Sequence, residues 1–391
     1  MIRITDKKRC TGCEACANVC PVQAITMLPD REGFLYPTVD ESICVECGLC
    51  VKRCPVLVER CVGRPIVAYA VQNKDECVRR ESSSGGAFTA IAQEVLRQGG
   101  LVFGAAFDPK FEVVHISVSA SDELSRFRGS KYVQSRIGTT YAEVKKALLA
   151  GMYVCFSGTP CQIEGLMQYL GKPYDNLIAV DVVCHGVPSP KLFRKYLNYQ
   201  QDKYGPLKGI YFRDKSYGYA GSTMALRFTS GRTISNGREL QFFKDTFFRN
   251  LSTRPSCYAC PFKTAGRVSD FTLFDCWHIG NWNRKMDDDK GTTFVLIHTS
   301  KGRDLFEKLM PELRYCLVDA LAAVATDGDM AVASIPSHPA RSSFFADMDR
   351  LSVPMLMKKY VPSSLFRHVL FLVKPILFRM HLLPILKRLL K

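Results

Sequence analysis

Between residues 66 and 300, apolar positions recur with two alternating periods, and the alternation predicts strands and helices in turn. Ile66–Gln72 is a short apolar run that reads as a strand. Ala87–Arg97 sets Phe88, Ile91, Ala92, Val95 and Leu96 on one helical face, closed by Gly99-Gly100 as a left-handed cap. Leu101–Phe107 and Val113–Val118 read as strands, and Thr140–Leu149 as a helix stopped by Gly151. Next come a strand at Tyr153–Phe156, a helix at Gln162–Leu170, a strand at Leu177–Val183 and a helix at Pro190–Tyr204, with proline at its start. Such alternation implies parallel strands joined by crossovers. Ligands of such sheets bind outside the carboxyl ends of the strands, where Ser157–Cys161 and Cys184-His185-Gly186 fall. Residues 205–255 read as more β-rich and irregular, and Asp270–Asp275 and Thr292–Thr299 as further strands.

The first 62 residues follow another rule. Cys10-x2-Cys13-x2-Cys16-x3-Cys20-Pro21 returns 34 residues later as Cys44-x2-Cys47-x2-Cys50-x3-Cys54-Pro55. This is the bacterial dicluster spacing, in which the fourth cysteine ligates the other cluster. It assigns Cys10, Cys13, Cys16 and Cys54 to one 4Fe–4S cube, and Cys44, Cys47, Cys50 and Cys20 to a second. Each half is expected to be a short strand, a cysteine loop and a helical turn. Paired zinc sites would use separated cysteine pairs, and a disulfide framework would need an oxidising compartment. Two clusters, and hence electron transfer, are the expectation.

Composition adjusts this picture. A chain of 391 residues is too long for such a module alone, and 47% hydrophobic residues suffice for a sizeable core. Seventeen cysteines, with Met1–Asp6 running straight into the first motif, point to a reducing cytoplasm. The net charge of +16 raises nucleic acid as a partner. Anionic clusters offset part of that charge, basic residues also suit flavin or nucleotide phosphates, and no helix-turn-helix or zinc-finger spacing appears. No nucleic-acid partner is expected.

Four later cysteines are candidates for a third metal centre. Cys161 and Cys184 fall on successive strand-end loops, and Cys257-x2-Cys260-Pro261 repeats the pair-plus-proline pattern. The residues alone leave iron–sulfur, zinc and plain buried thiols open. Cys276 is a spare ligand candidate, while Cys61, Cys77, Cys155 and Cys316 read as core. Ser82-Ser83-Ser84-Gly85-Gly86 precedes a helix and can present free N–H groups to an anion, with charge from Lys131 or Arg128. Capping by Ser84 is the alternative. His185 reads as a structural residue or a proton donor, and Asp287-Asp288-Asp289-Lys290 as a solvated turn.

Together these residues resemble the family of coenzyme F420 hydrogenase/dehydrogenase beta subunits. The resemblance rests on Ser83-Ser84-Gly85-Gly86-Ala87, Gly129-Ser130-Lys131-Tyr132, Gly158-Thr159-Pro160-Cys161-Gln162, Cys184-His185-Gly186-Val187-Pro188-Ser189-Pro190, Cys257-x2-Cys260-Pro261 and Asp275-x-Trp277. It implies an FAD that exchanges hydride with an organic substrate and single electrons with clusters, and it favours a third 4Fe–4S cluster at Cys161, Cys184, Cys257 and Cys260. It also implies flavin contacts at Ser83, Ser84, Gly85, Gly86 and Lys131. Where many relatives have Gly-Asp-Phe-Trp, this chain has Phe274-Asp275-Cys276-Trp277. The flavin and clusters are carried over; coenzyme F420 itself is not, since the fold serves other substrates. The fold class expected is α+β and α/β: a bacterial-type two-cluster 4Fe–4S ferredoxin module at 1–62, then a mixed α/β flavin-binding catalytic region in two parts, 65–150 and 151–320. Gly63-Arg64-Pro65 reads as a linker. A ferredoxin-like donor or a redox partner subunit is expected to supply electrons.

A basic tail occupies 350–391. From Arg350 onward there are nine Lys or Arg residues and no Asp or Glu. Leu365–Leu390 is apolar enough for a membrane, but Arg367, Lys374, Arg379, Pro375 and Pro384 argue against a spanning helix. Amphipathic helices on an anionic membrane surface, at its inner face, are the expectation; docking on the body or a partner subunit is the alternative.

Overall fold

Alternation within each central strand sends neighbouring side chains to opposite faces, and both faces are covered. In the computed structural model, which describes residues 1–59, 63, 65, 67–362 and 373–380, the N-terminal module contributes strands β1 (Ile25–Pro29) and β2 (Leu35–Val39). They form an antiparallel hairpin with Ile25 opposite Val39. The body follows as β3 (Val67–Asn73), β4 (Leu101–Phe107), β5 (Val113–Val118), β6 (Val154–Gly158), β7 (Leu177–Val182), β8 (Leu207–Asp214), β9 (Thr223–Phe228), β10 (Thr233–Ile234), β11 (Phe271–Asp275), β12 (Thr293–Ile297) and β13 (Leu313–Val318).

Eight of these strands form the main sheet, in the order β13-β3-β12-β11-β7-β6-β4-β5. The expected parallel pairing holds for its centre, β4-β6-β7-β11. The flanking pairs β4-β5, β11-β12, β12-β3 and β3-β13 are antiparallel. Val102, Cys155, Ile178 and Val180 pack on one face beneath helices Ala87–Arg97 and Ser300–Leu309. Their neighbours Phe103, Val154, Phe156 and Ala179 pack on the other, under helices Thr140–Leu149 and Pro160–Leu170. This two-sided burial explains why the central strands are apolar throughout.

Residues 205–255 meet the β-rich expectation only in part. Strands β8 to β10 form a three-stranded sheet, but Arg238–Phe248 is a helix. Its Leu240, Phe242, Phe243 and Phe247 are buried and form a helical face in the second core. Helix Val353–Tyr360 seals the same core with Leu356, so the start of the basic tail docks on the body. Within 373–380, Lys374 Nζ donates to the Gly221 carbonyl, 2.9 Å. Phe378 packs edge-on against Tyr217. The rest of the apolar tail, together with Cys61, Ile66 and Arg64 of the linker, lies outside the described residues. Among the described residues no helix is long and apolar enough to cross a membrane.

Two smaller expectations are corrected. Cys77 is exposed, not core, because it sits on the outer face of a short helix, Glu76–Glu81. The acidic turn is not merely solvated. Asp288 takes both arms of the buried Arg79 guanidinium, at 2.5 and 2.6 Å, and Asp289 accepts from Ala220 N–H, 2.7 Å.

Candidate functional site

Turns with three closely spaced cysteines cannot bury their thiols alone, and the two N-terminal runs solve this by exchanging a residue. The structure brings Cys54 to Cys10, Cys13 and Cys16, close enough that burial and these neighbours together push the Cys13 and Cys16 thiols up. Cys20, Cys44, Cys47 and Cys50 line one small recess. The crossed grouping is therefore built into the fold. The two groups differ in surroundings: Cys13 and Cys16 are buried, whereas Cys47 is exposed beside exposed Ile43 and Val45.

Four later thiols meet at the carboxyl ends of the parallel strands. Cys161 opens helix Pro160–Leu170, which follows β6, and Cys184 follows β7. Cys257 and Cys260 come from the segment after helix Arg238–Phe248. Burial raises the thiol pKa of Cys161, and Cys260 and Cys184 add to the rise. Burial also pushes Cys257 up to about 12, with Cys184 and Cys260 contributing. Burial raises the Cys184 thiol as well, and Lys263, which donates to the Cys184 carbonyl and to the Met330 carbonyl, the latter at 2.5 Å, offsets part of that rise. Among the described residues no three His, Cys, Asp or Glu side chains converge as ligands of a single ion. The four thiols instead border a common open space, and four thiolates are the donor set that a 4Fe–4S cluster takes. Cys276 lies apart, fully buried among Phe274, Phe294 and Ile279.

That open space is part of a cavity of about 390 Å³. Its lining runs from Ser83, Ser84, Gly86 and Lys131 to Cys161, Cys184, Cys257 and Cys260, passing Asp275 and Trp277. Gly86, at φ +82°, turns the chain into helix Ala87–Arg97, whose first turn receives no side-chain cap. Ser84 does not cap it; its hydroxyl donates to the Thr292 carbonyl, 2.5 Å. Ser83 instead ties two loops, accepting from Ser130 N–H at 2.7 Å. Gly85 lies behind the cradle. Its N–H donates to Thr293 Oγ1, 2.8 Å, and a Cβ there would strike the Val71 carbonyl oxygen.

Charge at this end is under strain. Among the described residues Lys131 Nζ reaches only the Arg126 and Arg128 carbonyls, at 2.8 and 3.1 Å, and desolvation pulls its pKa down to about 7. Burial, then Arg213 and Arg79, hold Lys215 near 7 as well; its amine donates to the Ser84 carbonyl, 2.7 Å. Arg128 is committed elsewhere, 2.5 Å from Glu81. Arg213 grips Asp275 at 2.8 and 3.3 Å and lies over the Trp277 ring, which stacks on Tyr219. His185 is held by Asn250, 2.8 Å, between Phe247 and Phe248, and burial lowers its pKa. Uncapped N–H groups and an unneutralised lysine facing one cavity suit a phosphate-bearing ligand, so these residues fit a dinucleotide flavin.

No local signal in the chain marks Arg213, Lys215 or Arg254. Each is an ordinary basic residue in a basic chain, and its importance comes from distant partners.

Three family descriptions match the chain. Residues 9–58 match the 4Fe–4S dicluster domain, 68–140 the N-terminal part of the coenzyme F420 hydrogenase/dehydrogenase beta subunit, and 151–320 its C terminus. Among curated proteins, an uncharacterized protein of Methanocaldococcus jannaschii is 27% identical over 44% of this chain and 56% of its own length. One subunit of the F420H2 dehydrogenase of Methanosarcina mazei is 22% identical over 39% of this chain and 46% of its own. The coenzyme F420-dependent sulfite reductase of M. jannaschii is 38% identical over 47% of this chain and 29% of its own. The chain thus spans about half the length of the first two and under a third of the last.

Proposed function

Since the chain belongs to the family of coenzyme F420 hydrogenase/dehydrogenase beta subunits and carries an N-terminal 4Fe–4S dicluster domain, we propose that it is a cytoplasmic iron–sulfur flavoprotein oxidoreductase. The observation that carries this reading is the shared cavity, with an anion cradle at one end and four cysteines at the other. A bound flavin supplies the exchange between single electrons and hydride. The protein holds and orients it: first-turn N–H groups after Gly86 and the Lys131 ammonium serve the phosphates, and Arg213, fixed by Asp275, keeps Trp277 in place at the wall. Cys161, Cys184, Cys257 and Cys260 would hold a third cube beside it.

The exposed Cys47 end suits electron exchange with a ferredoxin-like donor or a redox partner subunit, and the buried Cys13 end faces the body. An organic substrate would meet the flavin end of the cavity; the relatives' names make coenzyme F420 one candidate for it. A second reading, an electron-transfer subunit with no substrate of its own, draws support from the M. mazei relative, which is named as a subunit. Contact of the basic tail with an anionic membrane surface is part of the proposal, checked by liposome sedimentation with and without residues 381–391.

Anaerobically purified protein tests the main reading through its absorbance, iron and flavin content. Three cubes correspond to about twelve irons per chain, accompanied by about one FAD. Eight irons with no flavin, even on titration, would favour the subunit reading. Zinc in place of iron would end both.

A further inference from the structure

Arg254 is among the largest fully buried side chains, with 0% exposure. Its guanidinium donates through Nε to the Cys10 carbonyl, 2.9 Å, and through Nη2 to the Leu35 carbonyl, 2.9 Å. Nη1 donates to Gln134 Oε1, 2.9 Å, and Nη2 stands 3.7 Å from Cys10 Sγ. The guanidinium also lies over the Tyr36 ring, 4.3 Å from its centroid. Among the described residues no carboxylate forms an ion pair with it. The Glu14 carboxylate attracts this guanidinium but accepts from Ile137 and Gly138 N–H and makes no direct pair with it. A buried cation without a directly paired counter-charge is costly.

The backbone shows the same demand. Gly12, between Cys10 and Cys13, has φ +66°, and a Cβ there would stand 2.7 Å from Arg254 Nη1. Gln134, which fixes Nη1, also donates to the Thr11 carbonyl at 3.1 Å. At its other end Arg254 belongs to the third cysteine group, since its carbonyl accepts from Cys257 N–H, 3.0 Å. The residue spans from one cysteine set to another.

We propose that Arg254 is a positioning residue that raises the reduction potential of the cluster bound by Cys10, Cys13, Cys16 and Cys54. This rests on the iron–sulfur reading above. Four thiolates leave a cube negatively charged, and reduction adds one more negative charge. A fixed cation with an N–H directed at a ligand sulfur stabilises the reduced form more than the oxidised one, and hydrogen bonds to sulfur are an established lever on such potentials. The cluster adds a negative charge that the guanidinium contacts directly through Cys10 Sγ, and Arg254 in turn biases this cluster, beside the body, to accept an electron from its exposed twin.

The test is an EPR-monitored redox titration of full-length holoprotein with Arg254→Gln and Arg254→Lys. Arg254→Gln is expected to shift the reduction equilibrium of one cluster at least tenfold toward the oxidised form, about 59 mV for a one-electron couple. The cluster of Cys44, Cys47, Cys50 and Cys20 serves as the internal reference and keeps its potential. Arg254→Lys, which retains charge, should shift less. Equal potentials in wild type and Arg254→Gln would overturn the proposal, as would equal shifts in both clusters. Should the variants not fold, pulsed EPR of reduced wild type carrying 15N-arginine decides it: a nitrogen coupling on one cluster supports the proposal, and no coupling overturns it. Absence of any 4Fe–4S signal in wild type would mean instead that the underlying reading is wrong.

Discussion

Cys13 rests on Gly165: a Cβ on that glycine would lie 3.1 Å from Cys13 Cβ and 3.3 Å from its Sγ. Gly165 lies one turn beyond Cys161 on helix Pro160–Leu170. The missing side chain therefore lets the N-terminal module reach the element that carries the third cysteine group. Glu14, next to Cys13, locks the same contact by accepting from Ile137 N–H and Gly138 N–H, at 2.9 and 3.0 Å. Tyr141, whose hydroxyl donates to the Gln162 carbonyl at 2.7 Å, fills the space beside it.

Gly165→Leu should force this contact apart. Overpacking of this kind costs about 1–3 kcal/mol, and the module should keep its clusters while passing electrons inward more slowly. Stopped-flow reduction by an external donor, read separately at the clusters and the flavin, measures this. Unchanged flavin reduction would show that the contact does not carry the transfer.

Cys161→Ala and Cys257→Ala should each remove about four irons per chain and leave the N-terminal clusters' EPR signals in place. Iron analysis beside EPR checks the two together. If both variants keep the full iron content, the four cysteines hold no cluster.

Flavin affinity should fall with rising pH, for a reason set by Lys131. Its folded pKa, about 7, lies below the ordinary lysine value. Without a ligand, the unfolded chain binds more protons between those two values, so this group adds stability as pH rises through that window. An anionic ligand reverses the preference, because it pairs with the charged amine. Binding above about pH 7 therefore takes up a proton, and affinity should drop by up to about tenfold per pH unit there. Lys131→Met should bind FAD more weakly and with a flatter pH profile. Fluorescence titration at about pH 6.5 and about pH 8.5, on either side of that pKa, separates the outcomes. Equal pH slopes for both proteins would remove Lys131 from the site.

Gly85→Ala should act on the sheet before it acts on a ligand. The new Cβ would meet the Val71 carbonyl oxygen and stand 2.8 Å from Thr293 N, on two neighbouring strands. A loss of about 1–3 kcal/mol is expected in chemical denaturation, with flavin released only as the fold is lost. Normal stability combined with lost flavin would place Gly85 in the cradle after all.

Much of this protein is legible in one dimension because its strongest signals are local. Cysteine spacing in the doubled run states which thiols a tight turn can gather, and the crossing of Cys20 and Cys54 follows from that repeat. The helices Ala87–Arg97, Thr140–Leu149 and Pro190–Tyr204 could be read to the residue because periodicity, caps and proline agree. Sequence also placed Cys161 and Cys184 at strand ends, since strand–helix alternation dictates where loops of a parallel sheet emerge. Tertiary structure decided everything that depends on partners far apart in the chain. It turned Arg238–Phe248 into a helix because a core from several segments accepted that face, and it withdrew Gly85 behind the cradle because β3 and β12 close over it. It also made Arg254 a neighbour of Cys10, 244 residues away. Local chemistry sets what a segment can bind or form; which charge faces which thiol is settled only when burial leaves a buried group no water to turn to.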